Sequence, residues 1–201
     1  MDVTIHARLL RLNKEGLLQA VRHVACNGQV SYRIVNFLGD GTIRREAIAR
    51  YLAADIEASH DRDIALTASH YEFRLIATPA LAPDGRQMRG FRIKPKQKRA
   101  GLFKGEVWFD EETGMAVREL GQFVKNPSVY LRKLSFVRDY EIRDGISVPH
   151  RIQSTIETRI AGRLELTVLF SNFAYSDAGD RNCQDGNAGQ WRLAAKRETG
   201  R

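Results

Sequence analysis

The 201-residue chain has no apolar run of the roughly 18 residues that a helical membrane span needs. Taken as it stands, its start is not expected to act as a leader. Asp2 stands where a secretory leader would carry basic residues, and no apolar stretch follows. Cysteine is scarce: Cys26 sits in a Cys-Asn-Gly turn and Cys183 in a polar stretch near the end. Nothing in the sequence brings their Cα atoms within bridging distance, so no disulfide is expected and cysteine usage does not decide the redox compartment. Chemistry-bearing motifs are missing as well. There is no G-x-S-x-G, and no cysteine in an electropositive niche beside a histidine. His6, His23, His60, His70 and His150 are dispersed, with no H-x-x-x-H spacing for a metal. Glu106, Asp110, Glu111 and Glu112 cluster where a hairpin turn is expected, a place for solvated acids rather than a glycosidase pair. Gly39-Asp40-Gly41 lacks the spacing of a dinucleotide loop and any Walker lysine, and reads as a turn before a helix. The expectation is a protein without catalytic residues, metal or cofactor.

Acid is absent from one window. Arg86, Arg89, Arg92, Lys94, Lys96, Lys98, Arg99 and Lys104 follow one another with no Asp or Glu between, and equal the net charge of +8. The rest of the chain is close to neutral, so the field is local. Three readings stand side by side: a solvated strand edge whose lysines discourage edge pairing, attraction to an anionic membrane surface, and nucleic-acid binding with Phe91 and Phe103 as stacking rings. The last is disfavoured, because no signature of the usual nucleic-acid modules accompanies it.

What the sequence has is alternation with period two. Thr4–Leu12, Leu17–Ala25 and Val30–Phe37 read as strands, separated by turns at Asn13–Gly16 and at Asn27-Gly28. The period then changes. Ile43, Ala47, Ile48, Tyr51, Leu52 and Ile56 share one helical face over about 43–58, with Thr42 as the expected N-cap. Strands resume at Tyr71–Thr78, Gln87–Lys94, Glu106–Asp110, Met115–Phe123, Lys133–Glu141, Val148–Ile160 and Arg163–Tyr175. Phe103, Trp108, Phe109, Phe136 and Phe170 read as core residues. Residues 176–201 are polar and read as a disordered tail behind a single domain over 1–175.

Four segments together carry a resemblance: Tyr71-Glu-Phe-Arg-Leu75, Lys104-Gly-Glu-Val-Trp-Phe-Asp-Glu-Glu-Thr-Gly114, Tyr140-Glu-Ile-Arg-Asp-Gly-Ile-Ser-Val-Pro-His150 and Leu164-Glu-Leu-Thr-Val-Leu-Phe-Ser-Asn-Phe173. In order and spacing they resemble the LolA-like, outer-membrane lipoprotein-sorting proteins of bacteria, and a secreted branch of them most of all. The likeness spans about two thirds of the chain. It implies a curved antiparallel half-barrel whose hollow holds acyl chains, and a periplasmic or secreted location. Members of that family begin with a leader and a helix, whereas this chain opens on a strand. The resemblance therefore implies that Met1 is an internal start of a longer, exported protein; taken literally, the chain would stay in the cytoplasm.

These readings converge on a mainly β (α+β) fold of nine or ten antiparallel strands with one amphipathic helix. The expected function is a non-enzymatic carrier sheltering a lipid or lipoprotein acyl chain against the sheet. The alternative is a module that grips a protein partner with the same sheet. The expected apolar lining is Leu134, Phe136, Ile152, Ile156, Leu164, Leu166, Val168 and Phe170, which alternate on three successive strands. The basic window would steer an anionic headgroup.

Overall fold

The computed structural model describes residues 1–60, 65–82, 85–125 and 131–174. It contains one fully antiparallel sheet of eleven strands and one helical segment. The first strand, β1 (Asp2–Leu9), buries Val3, Ile5, Ala7 and Leu9 and turns its other residues outward. That alternation is the pleat of a strand with one covered face. A 3-10 turn, Leu10–Leu12, leads through Asn13 in the left-handed region (φ 47°) into β2 (Lys14–Val24), and β3 (Val30–Gly39) follows. The turn thus closes earlier than expected: Lys14 to Gly16 already belong to β2. Gly16 is required there, because a Cβ would meet Ile43 Cγ2 at 2.9 Å and the Phe37 ring at 3.1 Å.

The helix is longer than its apolar period suggested. It runs from α1 (Gly41–Ile43) through a π-helical stretch (Arg44–Ile48) into α2 (Ala49–His60). Its N-cap is Asp40, not Thr42: the Asp40 carboxylate accepts from the backbone N–H of Thr42 at 2.7 Å and of Ile43 at 3.3 Å. An ionised carboxylate satisfies two orphan donors and opposes the positive end of the helix dipole, which a threonine hydroxyl does less well.

Eight further strands complete the sheet: β4 (Tyr71–Leu75), β5 (Ala80–Leu81), β6 (Gln87–Pro95), β7 (Phe103–Asp110), β8 (Ala116–Phe123), β9 (Leu131–Arg143), β10 (Ile146–Thr158) and β11 (Arg163–Ser171). The two-residue β5, which pairs with β6, takes the count past the expected nine or ten. The spatial order is β3-β2-β1-β11-β10-β9-β8-β7-β6-β4. Neighbours are consecutive in the chain except β4 and β6, which β5 separates, and β1 and β11. That pairing sets Ile5 against Val168 and Ala7 against Leu166, so the first and last strands meet in the middle of the sheet. The edges are β3 and β4, and the helix lies in the connection between them.

Cys26 is disulfide-bonded, against the expectation that it stands unpaired. Cys183 and the 176–201 segment lie outside the described residues. Among the described residues no helix is long and apolar enough to cross a membrane.

Candidate functional site

Strand register decides which side chains can act together, since each strand shows alternate residues to alternate faces. Ile156 is paired with Leu164 on one side and Leu134 on the other; Ile152 faces Val168. All eight expected lining residues therefore point to the face that carries the helix. They do not share one environment. Leu164, Leu166, Val168 and Phe170 are buried in a core with Val3, Ile5, Leu18, Ile43, Ile48 and Leu52, and Ile152 and Ile156 pack at its margin. The helix packs over β1, β2 and β3 and fills this half. Phe136 and Leu134 belong to a second cluster, built from β4, β6, β7, β8 and β9.

The second cluster is aromatic and lies beyond the strands on which the helix packs. Seven rings form a continuous chain in space. Phe109 meets Phe91 at 5.8 Å between centroids, Phe91 meets Phe73 at 6.3 Å, and Phe73 meets Tyr71 at 6.3 Å. Tyr71 meets Phe103 at 6.0 Å, Phe103 meets Phe136 at 4.9 Å, and Phe136 meets Phe123 at 5.1 Å. Most contacts are tilted or edge-to-face, the arrangement that ring quadrupoles favour. Tyr71, Phe103 and Phe136 are buried, whereas Phe73, Phe91, Phe109 and Phe123 are only half-buried. The Tyr71 hydroxyl accepts from the backbone N–H of Phe103 at 3.4 Å, and burial raises its pKa.

A polar seam borders the rings. Arg138 on β9 donates to Glu119 on β8 at 3.3 Å, and its guanidinium lies 4.6 Å from the centroid of Phe136. Glu119 is buried beside this guanidinium. Tyr140 bonds to both members, and its pKa is raised by burial first and by Glu119 second. On the helix, burial likewise raises the pKa of Tyr51, whose hydroxyl lies beside that of Tyr32.

The basic window is not one surface. Arg86 lies 3.5 Å from Asp110, and Arg89 is ion-paired with Glu111 at the β7–β8 turn. Lys96 donates to the carbonyl of Ala68 at 2.6 Å, in the loop that also holds Lys98 and Arg99. Arg92, Lys94 and Lys104 point away from the rings, on the opposite face. Trp108 departs from its expected place in the core: it lies on that opposite face, with its ring over Gly90.

The histidines form no site. His6 is 3.4 Å from Glu15 and His150 is 3.9 Å from Glu141, both at exposed positions. Among the described residues no three His, Cys, Asp or Glu side chains are grouped to hold a metal ion. Alternation in the sequence puts Tyr71 and Phe73 on one side of one strand and Phe91 opposite the arginines of another, but does not show that they join the rings of β7, β8 and β9. Only register across five strands shows it.

No protein-family model matches the chain, and no curated protein matches it. Among solved structures it is similar to the LolA superfamily protein NE2245 from Nitrosomonas europaea. The identity is 15%, the match covers 89% of this chain and 86% of that chain, and the TM-score is 0.46. A likeness at that level carries no argument about ligand or partner; the architecture rests on the strand register above.

Proposed function

We propose that the chain is a non-enzymatic binding protein that shelters an acyl chain on the aromatic half of its helix-bearing face. The observation that carries this is the ring chain itself. Phe73, Phe91, Phe109 and Phe123 are partly buried on the strands beyond the helix, in line with three buried rings. A continuous apolar strip whose flanking rings keep partial access to water is a surface on which an apolar ligand can bury further area. An acyl chain laid along it would gain roughly 25 cal/mol per Å2 of buried surface, without directional chemistry. The Arg138–Glu119–Tyr140 seam gives the strip a polar border suited to a headgroup.

The expected lining divides accordingly. Leu134 and Phe136 belong to the strip. Ile152 and Ile156 lie at the boundary, and Leu164, Leu166, Val168 and Phe170 would be reached only if the helix lifted. Periplasmic placement and steering by the basic loop toward anionic headgroups, at about 1 kcal/mol per basic residue, belong to the same reading. The test is organic-solvent extraction of the protein purified from native cells, followed by mass spectrometry. Stoichiometric lipid, displaced by a fluorescent fatty acid, is expected. A lipid-free protein that does not bind the fatty acid would end the proposal, and a stoichiometric protein partner in its place would favour the interaction module.

A further inference from the structure

The same strands carry a second feature on the face away from the helix. There β4, β6, β7, β8 and β9 form a trough of about 710 Å3. It crosses the strands, and four strand spacings of about 4.8 Å make it about 19 Å long. Arg74, Arg92, Lys94, Lys104 and Lys133 line it, against only Glu72 and Glu106. Arg92 has a distant acid partner, Glu106 at 3.9 Å. No ion pair or hydrogen bond engages the side chains of Arg74, Lys94, Lys104 or Lys133 among the described residues. Arg74 also stands directly opposite Arg92 in the β4–β6 register. Like charges at such a position destabilise a strand pair, and an anion between them would relieve the repulsion. The floor is apolar, formed by Leu120 and Val137, which are paired across β8 and β9.

We propose that this trough binds an extended acidic peptide segment of a partner protein. About six residues in extended form span its length, at about 3.3 Å each. Their carboxylates would meet the unpaired cations, and an apolar side chain would rest on Leu120 and Val137. Two alternatives fit less well. Nucleic acid would find no ring in the trough lining to stack on: Phe136 at its wall is buried and belongs to the other face, and Trp108 on the trough's own face lies over Gly90 outside the lining. Glu72 and Glu106 would also repel a uniform phosphate backbone. A flat bilayer would meet the rim and not reach a recessed floor. The site lies across the sheet from the aromatic strip and does not depend on what that strip holds.

The test uses the full chain and a fluorescein-labelled peptide alternating Glu and Leu, read by anisotropy at physiological salt. Lys94→Glu with Lys104→Glu is compared with Lys96→Glu with Lys98→Glu, which changes the net charge equally outside the trough. The first pair is expected to weaken binding by at least about tenfold, and the second by less than about threefold. Leu120→Gln, which alters no charge, is expected to weaken it by about fivefold or more. Thermal melts check that each variant is folded. Equal loss in both charge-reversal pairs, or no binding by the unaltered protein, would overturn the proposal. So would trough-dependent binding of a single-stranded oligonucleotide, or of phosphatidylglycerol vesicles, that is as tight as binding of the peptide.

Discussion

Arg22 on β2 and Asp55 on α2 are 3.1 Å apart, and this pair fastens the helix to the sheet. Tyr32 on β3 closes the triangle: its hydroxyl donates to the same Asp55 oxygen at 2.7 Å and accepts from Arg22 Nε at 3.2 Å. Burial disfavours the Arg22 charge, but Asp55 and Tyr32 together more than offset this and the guanidinium pKa is raised. The pair thereby adds a polar tie to the apolar packing of Ile43, Ala47, Ile48 and Leu52 that holds the helix in the core with Leu164, Leu166, Val168 and Phe170.

Asp55→Ala leaves Arg22 poorly compensated in a site where its side chain is 13% exposed. A loss of about 1–3 kcal/mol of unfolding free energy is expected in urea melts. If helix displacement opens the β11 side chains to an acyl chain, the variant also takes up more fluorescent fatty acid per molecule. Unchanged uptake in a folded variant would confine binding to the aromatic strip.

Phe73→Ala with Phe91→Ala removes two half-buried rings from the middle of the ring chain. Fatty-acid affinity is expected to fall by at least about tenfold, on the scale of two lost aromatic contacts. Because both side chains are partly exposed, the fold should persist, which circular dichroism checks. Val168→Ala, in the helix-covered half, is expected to lower stability by about 1–3 kcal/mol with little change in affinity.

Gly105 and Gly121 face each other on β7 and β8. A Cβ on Gly121 would lie 2.5 Å from the Lys104 carbonyl oxygen and 2.7 Å from the Phe103 ring. Gly121→Ala is therefore expected to cost about 2–4 kcal/mol, more than an ordinary surface change. Denaturant unfolding measures it; a change below about 0.5 kcal/mol would mean that the two backbones can separate freely.

Two carboxylates set the acid limit. Asp40 is lowered to about 2, chiefly by its hydrogen bond with Lys14 and then by the Thr42 N–H. Asp110 is lowered chiefly by the Thr113 hydroxyl, at 2.7 Å, and then by the Thr113 N–H, at 2.8 Å. Both have folded pKa values below the unfolded value of about 3.9. Their stabilisation is thus complete above that value and is lost as pH falls through the folded pKa values, that of Asp40 lying at about 2. Asp40→Ala is expected to melt below the unaltered protein at pH 6, with the gap closing as pH drops below about 3. A gap independent of pH would show that the charge is not what caps the helix.

Much of the sheet was legible because its turns and alternation are local. The Asp144-Gly145 turn has both residues at positive φ, as its sequence suggests, and β11 shows the alternate burial that Leu164, Leu166, Val168 and Phe170 predict. The helix was legible through Ile43, Ala47, Ile48 and Leu52, all buried. Its cap was not, since Asp40 and Thr42 are both good caps and only backbone geometry separates them. The candidate site was legible only as a face. Whether Val168 lies under the helix or beside the rings depends on the β1–β11 pairing, which joins residues 155 to 169 positions apart. Trp108 was misplaced for a related reason: alternation on β7 allows either face, and the small Gly90 opposite gives the ring its seat away from the core.

Paramagnetic relaxation enhancement from a spin-labelled stearic acid, read on the backbone amides by NMR, tests the proposed site most directly. Selective broadening at Phe73, Phe91, Phe109 and Phe123, with Ile5 and Val168 spared, is the expected result. Broadening confined to Ile5, Leu166 and Val168, or none at saturating ligand, would contradict an acyl-chain site on the aromatic half of the sheet.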